Sequence, residues 1–184
     1  MAEGTRAAGA LQTREALLDA GAALAEEHGL AGLSVNMVVA RAGVAKGTFY
    51  VHFSGRAAFV DAMHARFHAR VEAAAAETMT GLPPGAERLY RAFEAYLDVS
   101  LANRGVKALS LEARSDPAVQ GSMEARRERL AAAGVADIEA MGWDDAQATV
   151  QLLAAMTREI SALEFDAGRP LPASRRALKR FLGI

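Results

Sequence analysis

The side chains best suited to specific contacts lie in one short run, Lys46-Gly47-Thr48-Phe49-Tyr50-Val51-His52-Phe53. Phe49 and Phe53 stand four apart, so on a helix they share a face and are expected to pack inward. Lys46, Gly47, Thr48, Tyr50, Val51 and His52 are then left around the other sides. The N-terminal end of this surface has little bulk, which lets the helix backbone approach the edges of nucleic-acid bases. Reactive chemistry is much less evident. No Gly-x-Ser-x-Gly elbow, Walker loop or dinucleotide fingerprint occurs, and there is no cysteine to act as nucleophile, thiolate ligand or disulfide. His64 and His68 have the spacing of a zinc pair on a helix but lack the intervening glutamate of the hydrolase pattern. Glu112, Asp116 and Asp166 read as caps and surface charge. No catalytic residue, metal site or cofactor is assigned, and the chain is not read as an enzyme.

The elements that must hold this run follow from periodicity and punctuation. Residues 1–11 show no sustained period and read as a frayed arm. Leu17, Gly21, Leu24 and His28 recur at helical steps, giving a helix over about 13–28 that Gly29 ends. Ser34 can cap a second, short helix ending near Ala42. Gly43 can then take the left-handed conformation that turns one helix into the next, and the third runs from about Ala45 to Phe53. Two short helices around a glycine make a helix-turn-helix, whose second helix enters a major groove. After Gly55 a long amphipathic helix extends to about Met79, where Gly81-Leu82-Pro83-Pro84-Gly85 breaks it. Further helices are expected near 85–103, 105–114, 116–141, 144–167 and 172–182. The run from Glu124 to Arg129 reads as a solvated, charge-alternating face.

Composition agrees with an all-α protein: alanine is abundant, while β-branched and aromatic residues are scarce. The N-terminus lacks a secretory signal and no apolar stretch is long enough to span a bilayer, so a cytoplasmic protein without membrane association is expected. Net charge is −1, too little for a polycation that coats nucleic acid. Its distribution says more. Between Arg41 and Arg70 stand Arg41, Lys46, Arg56, Arg66 and Arg70 against Asp61 alone, which points to a local basic face. Glu15, Asp19, Glu26 and Glu27 make the first helix acidic, and it is expected to face solvent and core.

The segment from Ser34 to Phe53 resembles the DNA-binding signature of the TetR family, most specifically through Arg41-Ala42-Gly43-Val44-x-Lys46-Gly47-Thr48-Phe49-Tyr50-x-His52-Phe53. The resemblance covers about residues 13–67. It implies that Lys46, Gly47 and Tyr50 lie nearest base edges, with Asn36 reaching in from the second helix, and that Ser34, Thr48, His52 and Arg56 bind phosphates. Ser34 and Arg56 sit near helix starts, where unpaired amides and the helix dipole favour an anion. Three positions depart from the family pattern. Ala45 stands where a serine or threonine commonly caps the reading helix, Met37 replaces an acid, and Ala57 stands where an acid often begins the fourth helix.

The division expected is residues 1–54 as arm and DNA-binding domain and 55–184 as a helical regulatory and dimerisation domain. In the latter, Val150, Leu152, Leu153, Met156, Ile160, Leu163, Leu178, Phe181 and Leu182 offer more apolar surface than a small monomer covers, and they read as a homodimer seam. Two-fold pairing would place the reading helices one DNA turn apart, to match a palindromic operator in double-stranded DNA. Tyr90, Phe93, Tyr96, Leu97, Met123, Trp143, Met156 and Glu159 read either as a site for a small apolar or amphipathic ligand or as ordinary core. The reading is a transcriptional regulator, a repressor released by such a ligand. An activator, a protein-responsive regulator, or a helical ligand-binding protein with a degenerate DNA-binding head are the alternatives.

Overall fold

In a computed structural model the structure describes residues 2–29, 33–107, 125 and 128–184, and these form helices and turns with no strand among them. The helices are α1 (Ala2–His28), α2 (Val35–Ala42), α3 (Lys46–His52), α4 (Arg56–Met79), α5 (Ala86–Ala102), α6 (Val135–Ala140), α7 (Ala146–Ala167) and α8 (Pro172–Phe181), with residues 104–107 and 128–132 also helical. The all-α expectation holds. None of the helices among the described residues is long and apolar enough to cross a membrane.

Two boundaries differ from the sequence reading. α1 begins at Ala2, so residues 2–11 continue the helix instead of fraying. That segment is rich in alanine and carries no breaker stronger than glycine, and the Thr13 hydroxyl donates back to the Gly9 carbonyl at 2.9 Å. The helix expected over 116–141 is interrupted at Ala133-Gly134, where Gly134 N–H turns to the Ala131 carbonyl at 3.0 Å and Gly134 in turn accepts from Asp137 N–H at 3.1 Å. A side chain at Gly134 would meet Leu89 and Val150 at 2.8 Å, so the break lies where α5 and α7 press close. Residues 108–124, 126 and 127, including Glu112, Asp116 and most of the charge-alternating run, lie outside the described residues.

The described residues form two compact units: residues up to Arg66 with 104–107, and residues 67–103 with those from 125 onward. In the first, Leu17, Leu18 and Leu24 of α1, Leu33, Val38 and Val39 around α2, and Phe49, Phe53, Phe59, Val60 and Met63 are buried. Phe49, Phe53 and Phe59 form a triangle with ring centroids 5.0–5.4 Å apart. These aromatics fasten α3, as their helical spacing leads one to expect. Gly105 closes this unit against α1. A Cβ there would penetrate the Ala22 carbonyl oxygen and come within 3.0 Å of the Glu26 amide nitrogen. Backbone atoms of a packed helix cannot yield as a flexible side chain can, so Gly105→Ala should cost about 3 kcal/mol or more. A urea titration reads this directly; an unchanged midpoint would show that residue 105 is not pressed against α1.

In the second unit α5, α6, α7 and α8 surround Leu89, Tyr90, Phe93, Leu97, Ile138, Val150, Leu153, Ile160, Leu178 and Leu182. Two buried carboxylates tie it together. Asp137 accepts from Gly85 N–H at 2.9 Å and from Arg88 Nε at 2.6 Å, joining α6 to the start of α5. Glu164, 1% exposed, accepts from Leu171 N–H at 2.8 Å and from both Nε and Nη2 of Arg175, whose Nη1 reaches Asp98 at 2.6 Å. Burial pushes the Glu164 carboxyl up, but the hydrogen bonds from Arg175 and Leu171 outweigh it and leave the group below its ordinary range.

The expected seam divides in two. Val150, Leu153, Ile160, Leu178 and Leu182 are core of their own unit, because that face of α7 and α8 is covered by α5 and by each other. Leu152, Leu163 and Phe181 remain open at 68%, 45% and 62% exposure, and Met156 is half-buried.

Candidate nucleic-acid interface

The turn between α2 and α3 is built by local chemistry. Ser34 has extended backbone angles, and its Oγ accepts from Met37 N–H at 3.2 Å, the cap foreseen. In that bond the hydroxyl acts only as acceptor. At the other end of α2, Gly43 adopts φ 68° and ψ 31°. Its N–H reaches the Ala40 carbonyl at 3.3 Å, and Val44 N–H reaches that of Val39 at 3.1 Å. This reciprocal pair satisfies carbonyls that the helix end leaves open, and it swings the chain directly into α3.

α3 begins without a side-chain cap. Ala45 occupies the capping position with no side chain able to accept, and Thr48 N–H closes on the Ala45 carbonyl at 2.9 Å. Ala45→Ser should therefore raise stability by about 1 kcal/mol, a rise in Tm of roughly 3 °C for a chain of this size. No rise in calorimetry would mean the amides of α3 are already satisfied.

Along α3 the side chains divide as their spacing requires. Phe49 is fully buried and Phe53, just beyond, is 4% exposed, whereas Lys46, Gly47, Tyr50 and Val51 are exposed and Thr48 and His52 are half-buried. The Tyr50 ring stands edge-on to Phe49 with centroids 5.5 Å apart, while the residue remains 52% exposed. Val51, at 79%, is the most exposed large apolar side chain among the described residues of the unit. It belongs to the surface of this helix, as the inward side of Phe49 and Phe53 leads one to expect, although the sequence assigns it no contact. Asn36 is exposed on α2. Arg56 is the first residue of α4, and its Nε donates to the Leu33 carbonyl at 3.0 Å, which ties the start of α4 to the segment leading into α2. All eight residues expected at a DNA interface thus fall within one unit and close to its two short helices.

The expected basic face is narrower than its sequence suggests. Arg41 is paired with Glu27 through two hydrogen bonds of 2.9 and 2.5 Å, and that guanidinium holds the Glu27 carboxyl below its ordinary range. Arg66 lies between Glu15 at 2.9 Å and Asp19 at 2.8 Å. Arg70, in the other unit, donates to Asn103 at 2.7 Å. Glu27 of α1 is thus spent on Arg41, and Glu15 and Asp19 on Arg66. Lys46 makes no ion pair among the described residues, so the cationic character at the turn rests chiefly on Lys46.

The residues considered for a small-molecule site separate. Tyr90, Phe93 and Leu97 are buried together, with Tyr96 and Met156 packed against them. The Tyr90 hydroxyl donates to Glu94 at 3.3 Å. Burial, with Glu94 alongside, pushes that phenol up. Trp143 and Glu159 are exposed and lie outside this cluster, while Met123 lies outside the described residues.

Comparison with known proteins fits this geometry. Residues 17–63 match the family model described as bacterial regulatory proteins, tetR family. No curated protein gives a significant match. Among solved structures, a putative TetR-family transcriptional regulator from Rhodococcus sp. superposes with a TM-score of 0.82 at 22% identity, covering 93% of this chain and 98% of that one. A transcriptional regulator from Rhodococcus sp. Rha1 gives 0.80 at 24% identity over 92% and 94%. A putative TetR-family regulator from Syntrophomonas wolfei gives 0.80 at 13% identity over 94% and 93%. Residues 17–63 of this chain are thus similar to the tetR family of bacterial regulatory proteins, and the chain as a whole shares the fold of these solved transcriptional regulators.

Proposed function

We propose that this chain binds a palindromic operator in double-stranded DNA as a homodimer in the cytoplasm, with residues 1–54 reading DNA and 55–184 controlling them. The observation that carries the reading is the split face of α3: Phe49 sealed in the core while Lys46, Gly47, Tyr50 and Val51 stand open beside the Ser34 cap and Arg56. Lys46 can donate to guanine O6 or N7, Tyr50 and Asn36 can reach base edges, and Val51 suits a thymine methyl. Ser34, Thr48, His52 and Arg56 are proposed to hold phosphates and so set register. Selection of bound fragments from genomic DNA by the purified chain tests this. An inverted repeat bound with strong salt dependence is expected, and recovery of random sequence would remove the reading.

The finer form of the proposal is a repressor released by a small apolar or amphipathic ligand. The cluster of Tyr90, Phe93, Tyr96, Leu97 and Met156 supports that chemistry, with the Tyr90–Glu94 pair as its polar end. α4 contributes residues to both units, which makes it the element through which a ligand would shift the balance between two states.

A further inference from the structure

Arg14, on α1, lies outside the set of DNA contacts proposed above. Its Cζ sits 5.3 Å over the ring of Phe53, yet the side chain keeps 38% of its exposure. The ring beneath it is immobilised, since Phe53 is 4% exposed and packs against Phe49 and Phe59. A cation held over a ring face keeps the N–H groups at its rim available to an anion, and stacking reduces the entropy lost when one binds. Phe53 is also flanked by proposed phosphate ligands. The His52 ring centroid is 6.2 Å from its own, and Arg56 follows three residues later. The neighbouring acid does not quench Arg14. Glu15 approaches it at 3.6 Å through one oxygen, whereas its other oxygen is 2.9 Å from Arg66, which also holds Asp19 at 2.8 Å. The shorter contacts commit Glu15 to Arg66.

We propose that Arg14 is a further DNA-phosphate contact, supplied by α1 and held in place by the Phe53 ring, so that the interface extends beyond the two short helices. This rests on the DNA-binding reading. The test uses the full chain and a random-sequence DNA duplex, for which no operator need be known, titrated across a range of salt concentrations. Arg14→Met keeps apolar cover over Phe53 and removes the charge; Arg14→Lys keeps a charge. Losing one phosphate contact should make the log–log salt slope shallower by about 0.9 and weaken low-salt binding roughly three- to tenfold, while Arg14→Lys retains the slope. If Arg14 merely covers Phe53, Arg14→Met will match the wild type in both slope and affinity, and that result overturns the proposal while leaving the DNA-binding reading intact. Wild-type protein with no salt-dependent binding would overturn both. Thermal melting of each variant identifies any loss that comes from unfolding, and in that case Arg14→Gln, which also removes the charge, decides at a temperature where it is folded: a slope shallower than wild type by about 0.9 supports the contact, whereas an unchanged slope overturns it.

Discussion

Gly47→Ala is expected to move stability and DNA affinity in opposite directions. Gly47 lies within α3, its backbone is not in the left-handed region, and nothing lies within 4 Å of an added Cβ. Alanine there costs nothing in packing and removes the entropy that glycine loses in a helix, so the folded state should gain about 0.5–1 kcal/mol. On the outer side the methyl occupies the space through which the helix backbone would approach base edges. Operator affinity should fall by roughly tenfold to a hundredfold, about the 1–3 kcal/mol of a lost base contact, and further for Gly47→Leu. Melting temperature and fluorescence anisotropy on the selected operator separate the two effects. A variant that is more stable and binds as tightly as the wild type would exclude α3 as the reading helix. The structural alternative, that glycine serves the fold, predicts the reverse sign for stability.

The second large effect concerns the open faces of α7 and α8. Leu152→Arg combined with Phe181→Arg changes positions that are 68% and 62% exposed, so the isolated chain should lose no more than about 0.5 kcal/mol of stability. The expected loss lies in association. Leu152 and Leu163 fall on the outward side of α7 together with Glu159 and Asp166, while the outward side of α8 carries Arg176, Arg180 and Phe181. A second copy related by a two-fold axis would set an apolar strip against its equivalent and acids near arginines, a self-complementary arrangement. Arginines placed on that strip would bury charge against charge. Sedimentation should show a dimer for the wild type and a monomer for the variant. Binding to the inverted repeat should then fall by about a hundredfold or more, because each half-site contact loses the high effective concentration that its linked partner supplies. A variant with the wild-type mass, or a wild-type protein that is itself monomeric, would sink the dimer reading.

The features readable from sequence were those that depend on neighbours within a turn or two. Ser34 as a cap, Gly43 as the left-handed turn, the missing cap at Ala45 and the inward side of Phe49 and Phe53 all follow from backbone sterics and helical spacing, and each stands in the structure as expected. The family signature is readable for the same reason, since a turn and seven residues of helix carry it in one unbroken run. The start of α1 was misjudged because amphipathic periodicity marks buried helix, and residues 2–11 form helix without it.

Only tertiary structure could decide which charges and apolar side chains are already spent. Arg41 and Arg66 look like part of a DNA-facing surface until Glu27, Glu15 and Asp19 are found against them across helices distant in sequence. Val150, Leu153 and Ile160 have the same chemistry as Leu152 and Leu163, and what separates core from open face is which side of α7 packs against α5. Local sterics act over a few bonds and leave a mark in the order of residues. Pairing and burial depend on which distant helix arrives alongside, and that is settled only when the chain packs.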